Sequence, residues 1–127
     1  MAGPIVFITH FRVKEGMLDQ VRQMTASVMP RMEAEKPQTL LMHAYLDEAS
    51  ERGSIIHMFG SPASMDAHFE GADERSRAAY ESIVPEGWEI YGAPSQAALD
   101  QMRTEAARAG VGLRYEPEQM GGFIRLG

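Results

Sequence analysis

The chain contains no cysteine. That removes disulfide frameworks, thiolate nucleophiles and Cys-ligated zinc together, and it fits a reducing, cytoplasmic setting. Basic residues are the minority: 12 Lys and Arg against 18 Asp and Glu leave a formal charge of −6, with no long Lys/Arg cluster. Such a chain is a poor binder of nucleic acid and a poor match for an anionic membrane. No apolar run approaches the roughly 18 residues of a membrane span. The opening "MAGPIVFITHFR" carries charge by residue 12 and reads as a strand, not as the apolar core of a signal peptide. Gly121-Gly122 lacks the G-x-G-x-x-G spacing of a phosphate loop and reads as a turn. No Ser-centred nucleophile elbow occurs.

What is present fits one domain of 127 residues, with residues 1–92 as a core and 93–127 as an extension. A chain of this size buries about two-thirds of its unfolded surface, enough for a core without covalent or metal staples. "PIVFITHFRV" (4–13) predicts a strand, with Ile5, Phe7, Phe11 and Val13 on one face and Thr9 between them; Val6, Ile8, His10 and Arg12 take the other. Leu18, Val21, Thr25, Val28 and Met32 mark a helix over 17–35, broadened by Met17, Met24 and Met29. Pro30 lies inside it and predicts a kink or a restart. "TLLMHAYL" (39–46) and residues 54–59 predict two more strands. A helix follows from Ser61 and Pro62, with Met65, Phe69 and Ala72 on one stripe. It continues beyond Gly71 with Ala79, Tyr80 and Ile83 inward. "VPEG" reads as a loop and "WEIYG" (88–92) as a fourth strand. The extension carries a helix capped by Ser95 and stopped by Gly110. A terminal hairpin ends it, with Phe123, Ile124 and Leu126 in the last strand.

This order predicts an α+β, ferredoxin-like βαββαβ antiparallel sheet with both helices on one face. The second face is not polar on either of the first two strands. Contiguous apolar surface of that kind marks an interface, and two such sheets stacked in a homodimer would close a dimeric α/β barrel.

One local pattern, His57-Met58-Phe59-Gly60-Ser61, then Met65 and His68, resembles the antibiotic-biosynthesis-monooxygenase-like family of the dimeric α+β barrel superfamily. His68 stands in the place of that family's helical histidine. His57 and Phe59 replace its usual acidic and tryptophan strand residues. The resemblance implies a cofactor-independent oxygenase that acts on or binds a small aromatic, quinol or polyketide-type molecule. The haem-degrading members resemble the chain least, since the first strand lacks their asparagine.

On that reading His68 is base or orienter, with Tyr80 beside it as the second catalytic candidate. Tyr45, His57, Phe59, Met65 and Trp88 are the expected substrate-binding residues. An imidazole suits the base's role because its ordinary pKa lies near neutrality. No cofactor and no metal are expected. The rival metal reading needs His10, His43 and His57, one per strand, to share a face. The alternative function is a non-catalytic, dimeric ligand-binding or stress protein. An apolar cavity of about 300 Å3 or more with convergent polar groups would favour use of a ligand.

Overall fold

Alternation along β1 (Ile5–Val13) sets the architecture. The computed structural model, which describes residues 3–125, buries Ile5, Phe7, Phe11 and Val13 and leaves Val6, Ile8 and His10 half-buried. The other elements in chain order are α1 (Leu18–Glu35), β2 (Thr39–Asp47), β3 (Arg52–Phe59), α2 (Pro62–Phe69), α3 (Ala72–Ala79), β4 (Ile83–Tyr91), α4 (Gln96–Ala109) and β5 (Leu113–Glu116). The strands lie in the order β2-β3-β1-β4-β5. The first four pair antiparallel, which is the ferredoxin-like arrangement.

β5 makes the sheet mixed, because it pairs parallel to β4, with Trp88 opposite Leu113 and Tyr91 opposite Glu116. The reason is connection: α4 carries the chain back along the sheet before β5 begins, and a crossover of that kind delivers a parallel strand. The expected terminal hairpin is not formed. Residues 117–125 carry no helix or strand, so Phe123 and Ile124 are outside any sheet, and Leu126 lies outside the described residues.

Two further boundaries differ from expectation. The second helical segment stops at Ala79, and residues 83–87 belong to β4. Pro85 is tolerated there because β5 pairs only with residues 88–91, so the first half of β4 is an edge, and the register slips between His10 and Phe11. Helix α1 continues through Pro30 as one element without a restart.

The buried residues form two clusters under the helices. One gathers Phe7, Phe59, Met65, Trp88 and Ile90 with Leu99 and Met102 of α4. The other gathers Phe11, Val13, Val21 and Ile83. Pairing places His57 opposite Phe7 on the helix-covered face, whereas His10 pairs with Ser54 and His43 with Ile56 on the far face. The three strand histidines therefore do not converge. Among the described residues no group of three or more His, Cys, Asp or Glu side chains suits a metal ion. No described helix is long and apolar enough to cross a membrane.

Candidate functional site

Between the two clusters, under the helices, lies an apolar cavity of about 200 Å3. Its floor is the sheet, with Thr9 of β1, Ala44 of β2 and Ile55 of β3. Methionines 24, 29, 32, 42 and 102 form much of the wall. Their unbranched side chains let the wall adapt to the shape of an occupant. At interior packing density this space holds about 150 Å3 of atoms, one or two rings. That is below the 300 Å3 at which drug-sized sites begin, so a three-ring molecule requires the methionine wall to move.

His57 reaches the cavity because β3 turns its odd-numbered residues toward the helices. His68 reaches it from α2, whose start is fixed by Ser61: its hydroxyl accepts the Ser64 amide at 3.1 Å, with Pro62 in the first turn. Both imidazoles are buried. Their rings meet edge to face with centroids 5.1 Å apart. Phe59 supports both, 6.1 Å from the His57 ring and 5.2 Å from that of His68. Nδ1 of His57 lies 3.1 Å from the Phe7 carbonyl. A carbonyl only accepts, so Nδ1 carries the proton and Nε2 keeps the lone pair. Nδ1 of His68 lies 2.7 Å from the Thr39 hydroxyl.

Burial dominates the ionisation of the pair. It pushes the His57 pKa down from 6.5 to about 4, against the Phe7 carbonyl, which favours the charged form. His68 falls to about 3, again mainly through burial, with His57, Arg75 and Lys36 adding repulsion. Both rings are neutral at neutral pH. The two cations are structural at this point. Arg75 donates to the carbonyls of His68 at 2.6 Å and Glu70 at 2.9 Å, and Lys36 to those of Ala67 at 2.9 Å and Glu70 at 3.1 Å. They satisfy carbonyls that the end of α2 leaves without helical partners. Gly71, with φ 79°, then turns the chain into α3.

At the other end of the cavity stands Tyr80, just past α3 and packed against the second cluster. Its hydroxyl donates to Glu105 Oε1 at 3.0 Å. Burial, and then this carboxylate, raise the phenol to about 12.

The fold brings His57, His68, Tyr80 and Trp88 to the cavity lining. Phe59 and Met65 lie beneath it as fully buried core. Tyr45 points to the opposite face of the sheet and is exposed, 3.3 Å from His43 Nδ1. Thr9, Thr39, Arg75, Gln101 and Glu105 were not singled out by sequence. Thr9 left a trace, as the polar break in the apolar face of β1. Arg75 and Glu105 sit in helices whose charges look like solvated surface.

No family model matches the chain, and no curated protein does. Solved structures do. MupZ from Pseudomonas fluorescens superposes with a TM-score of 0.73 at 15% identity, over 97% of this chain and 95% of its own. That coverage takes in α4 and β5. Rv0793 from Mycobacterium tuberculosis gives 0.56 at 13% identity, over 75% of this chain and 99% of its own. A Bacteroides thetaiotaomicron structure named after the antibiotic biosynthesis monooxygenases gives 0.55 at 10% identity, over 64% and 80%. The chain thus has the antibiotic-biosynthesis-monooxygenase-like fold, a ferredoxin-like sheet with its helices on one side. At these identities the likeness is one of fold.

Proposed function

We propose that the chain binds a small aromatic, quinol or polyketide-type molecule of one or two rings and oxygenates it without a bound cofactor. The observation that carries this reading is the apolar cavity with two neutral, hydrogen-bonded imidazoles on its wall. The reaction fits a site that supplies shape, a proton acceptor and exclusion of water. His68 takes the proton of an acidic O–H, leaving carbanion character on a ring carbon. That carbon passes two electrons to dioxygen and forms a C–O bond. The resulting hydroperoxide loses water to give a carbonyl, so one oxygen atom enters the product and the other leaves as water.

The low pKa of His68 describes the ring before a ligand arrives. Proton transfer to it from a bound phenol makes an imidazolium–phenolate pair with no net charge, and mutual attraction offsets part of the burial penalty. The same low value supports a second reading, in which the site only binds. We propose further that the chain works as a homodimer joined through the uncovered sheet face, where Val6, Ile8, Leu41, Ile56 and Met58 are half-buried in the single chain.

Oxygen uptake with 1,4-naphthohydroquinone tests the function. The expected product is 2-hydroxy-1,4-naphthoquinone with water, formed above the buffer rate, and at least tenfold slower in His68→Gln. Formation of only the quinone and hydrogen peroxide at the buffer rate, or an unchanged rate in His68→Gln, overturns catalysis. Saturable binding without turnover leaves the binding reading standing.

A further inference from the structure

The geometry points to a separate reactive centre on the far face of the sheet, where Ser54, His10 and Glu89 stand as nucleophile, base and orienting carboxylate for the hydrolysis of short-chain carboxylic esters. It is independent of the cavity under the helices.

The far face changes character halfway along its strands. Val6 and Ile8 of β1, Ile56 and Met58 of β3 and Leu41 of β2 make one half apolar, the half that suits a protein partner. Past them the register sets Ser54 between His10 and Tyr45, then Arg52 between Arg12 and Asp47. This polar half holds an open recess of about 360 Å3, lined by His10, Ser54, Tyr45, Arg52 and Glu86 among others.

Three strands meet at the recess. Ser54 Oγ lies 2.9 Å from His10 Nδ1, and His10 Nε2 bonds Glu89 Oε2. Tyr91 donates its hydroxyl to the other oxygen, Oε1. These bonds, from His10 and then Tyr91, hold the Glu89 carboxyl below its usual range. An ionised carboxylate only accepts, so on the neutral ring Nε2 carries the proton and Nδ1 the lone pair. The Ser54 hydroxyl is then the donor, and its proton points at a base whose other nitrogen is anchored by a carboxylate. That is the division of labour of a serine hydrolase, which is recognised by geometry and roles and not by order in the chain. Nδ1 here faces the serine and Nε2 the carboxylate. Imidazole is conjugated between its two nitrogens, so either one serves as the base. No short sequence motif marks the site, because its three members come from three strands.

The recess supplies the rest. Arg52 gives Nε to Glu86 at 2.9 Å, and its two terminal nitrogens have no other partner among the described residues. Arg52 stands two residues from Ser54 on the same face, about 7 Å along the strand. That is within reach of an ester carbonyl oxygen over Ser54, where negative charge develops. Tyr45, opposite Ser54, walls the other side.

Ser54 Oγ bonds the carbonyl carbon as its proton passes to His10 Nδ1. The C–O bond to the alcohol then breaks, and the alcohol leaves with that proton. Water gives a proton to the same nitrogen, attacks the acyl-serine and releases the acid, and the serine recovers its hydrogen. Each turnover consumes one ester and one water and yields one acid and one alcohol.

Diethyl 4-nitrophenyl phosphate, which phosphorylates activated serines, tests the inference together with 4-nitrophenyl acetate. The wild-type chain is expected to gain one diethylphosphoryl group, mapped to Ser54 by peptide mass spectrometry. It is expected to hydrolyse the acetate ester at least tenfold faster than Ser54→Ala, which removes one half-buried hydroxyl and leaves the packing intact. Glu89→Gln keeps the shape of the positioning residue and removes its charge; it is expected to lower kcat at least tenfold with KM within twofold. No adduct on Ser54, or a Ser54→Ala rate within tenfold of wild type, overturns the site. A Glu89→Gln kcat within tenfold of wild type overturns the three-residue arrangement. The labelling of the wild-type chain decides even if a variant fails to fold.

Discussion

The same strands build two unlike faces. On the helix side Phe7, Phe59, Trp88 and Ile90 are buried, and two histidines among them are held neutral by burial. On the far side Val6, Ile8, Ile56 and Met58 are only half-buried, and the polar groups are cross-paired. His10 bridges Ser54 and Glu89, Tyr91 donates to Glu89, and Arg114 pairs with Glu116 at 2.8 Å. Hydrogen bonds from His10 and then Tyr91 hold the Glu89 carboxyl below its usual range. The inner face keeps an apolar cavity and suppresses charge on its two histidines. Among the described residues no helix covers the outer face, and the polar groups just named already have partners, so a second sheet can cover them without orphaning them. On the proposed reading, one face receives a small molecule and the other a flat protein surface.

The largest test of this contrast uses two residues of β3 that point in opposite directions. Phe59→Ala empties the floor beneath both histidines and is expected to cost about 3–5 kcal/mol of unfolding free energy at any protein concentration. Ile56→Glu, on the far face, is expected to leave the fold intact and weaken the proposed dimer at least 100-fold. Chemical denaturation and sedimentation velocity read the two effects separately. A wild-type chain that sediments as a monomer at micromolar concentration, or an Ile56→Glu variant with unchanged association, would remove the dimer.

Acid separates the faces next. The folded-state pKa values of His57 and His68 lie below the ordinary 6.5, at about 4 and about 3. Below pH 6.5 the unfolded chain takes up protons that the folded chain refuses, so stability falls as pH falls and levels off only below the folded values. For His57 alone the loss is on the order of 3 kcal/mol between pH 7 and pH 4. Denaturant titrations at a series of pH values measure it. Subtracting the profile of the His57→Gln, His68→Gln double variant isolates it from the carboxylates. A difference profile flat from pH 7 to pH 4 means that the pair is not buried as a neutral unit.

The order of strands and helices through β3 and α2 was legible because its signals are local: the short β-branched and aromatic run of β1, the Ser61-Pro62 start of α2, the Gly110 stop of α4. β4 was half hidden, because Pro85 and Gly87 look like breakers until it is known that this half of the strand pairs with β1 on one side and, among the described residues, with no strand on the other. The direction of β5 was hidden for another reason. Only the path of α4 determines it, and Gly121-Gly122 looked like the turn of a hairpin. In the site, His57 and His68 stood out by residue type. The face on which Tyr45 lies did not, since β2 is apolar in both parities and a bulge at Leu40 shifts the register. Nor did the pairing of Tyr80 with Glu105, which depends on two helices meeting 25 residues apart.

The smallest effect compares one hydroxyl from each face. Thr39 Oγ1 and His68 Nδ1 meet at 2.7 Å inside, and Ser54 Oγ and His10 Nδ1 at 2.9 Å outside. The bonds look alike, but their surroundings differ. Removing the inner hydroxyl leaves a buried ring nitrogen with nothing in its place, which costs about 1 kcal/mol or somewhat more. It also frees the proton of His68 to sit on either nitrogen, so Thr39→Val is expected to shift the imidazole 15N resonances toward a mixture of tautomers. The outer histidine has 42% of its side chain exposed, and water replaces the lost partner. Ser54→Ala, made in the Ile56→Glu background so that this face meets solvent, is expected to cost less than about 0.5 kcal/mol. Equal costs at the two positions would mean that His68 is as well solvated as His10, and the cavity wall would then be wet rather than closed.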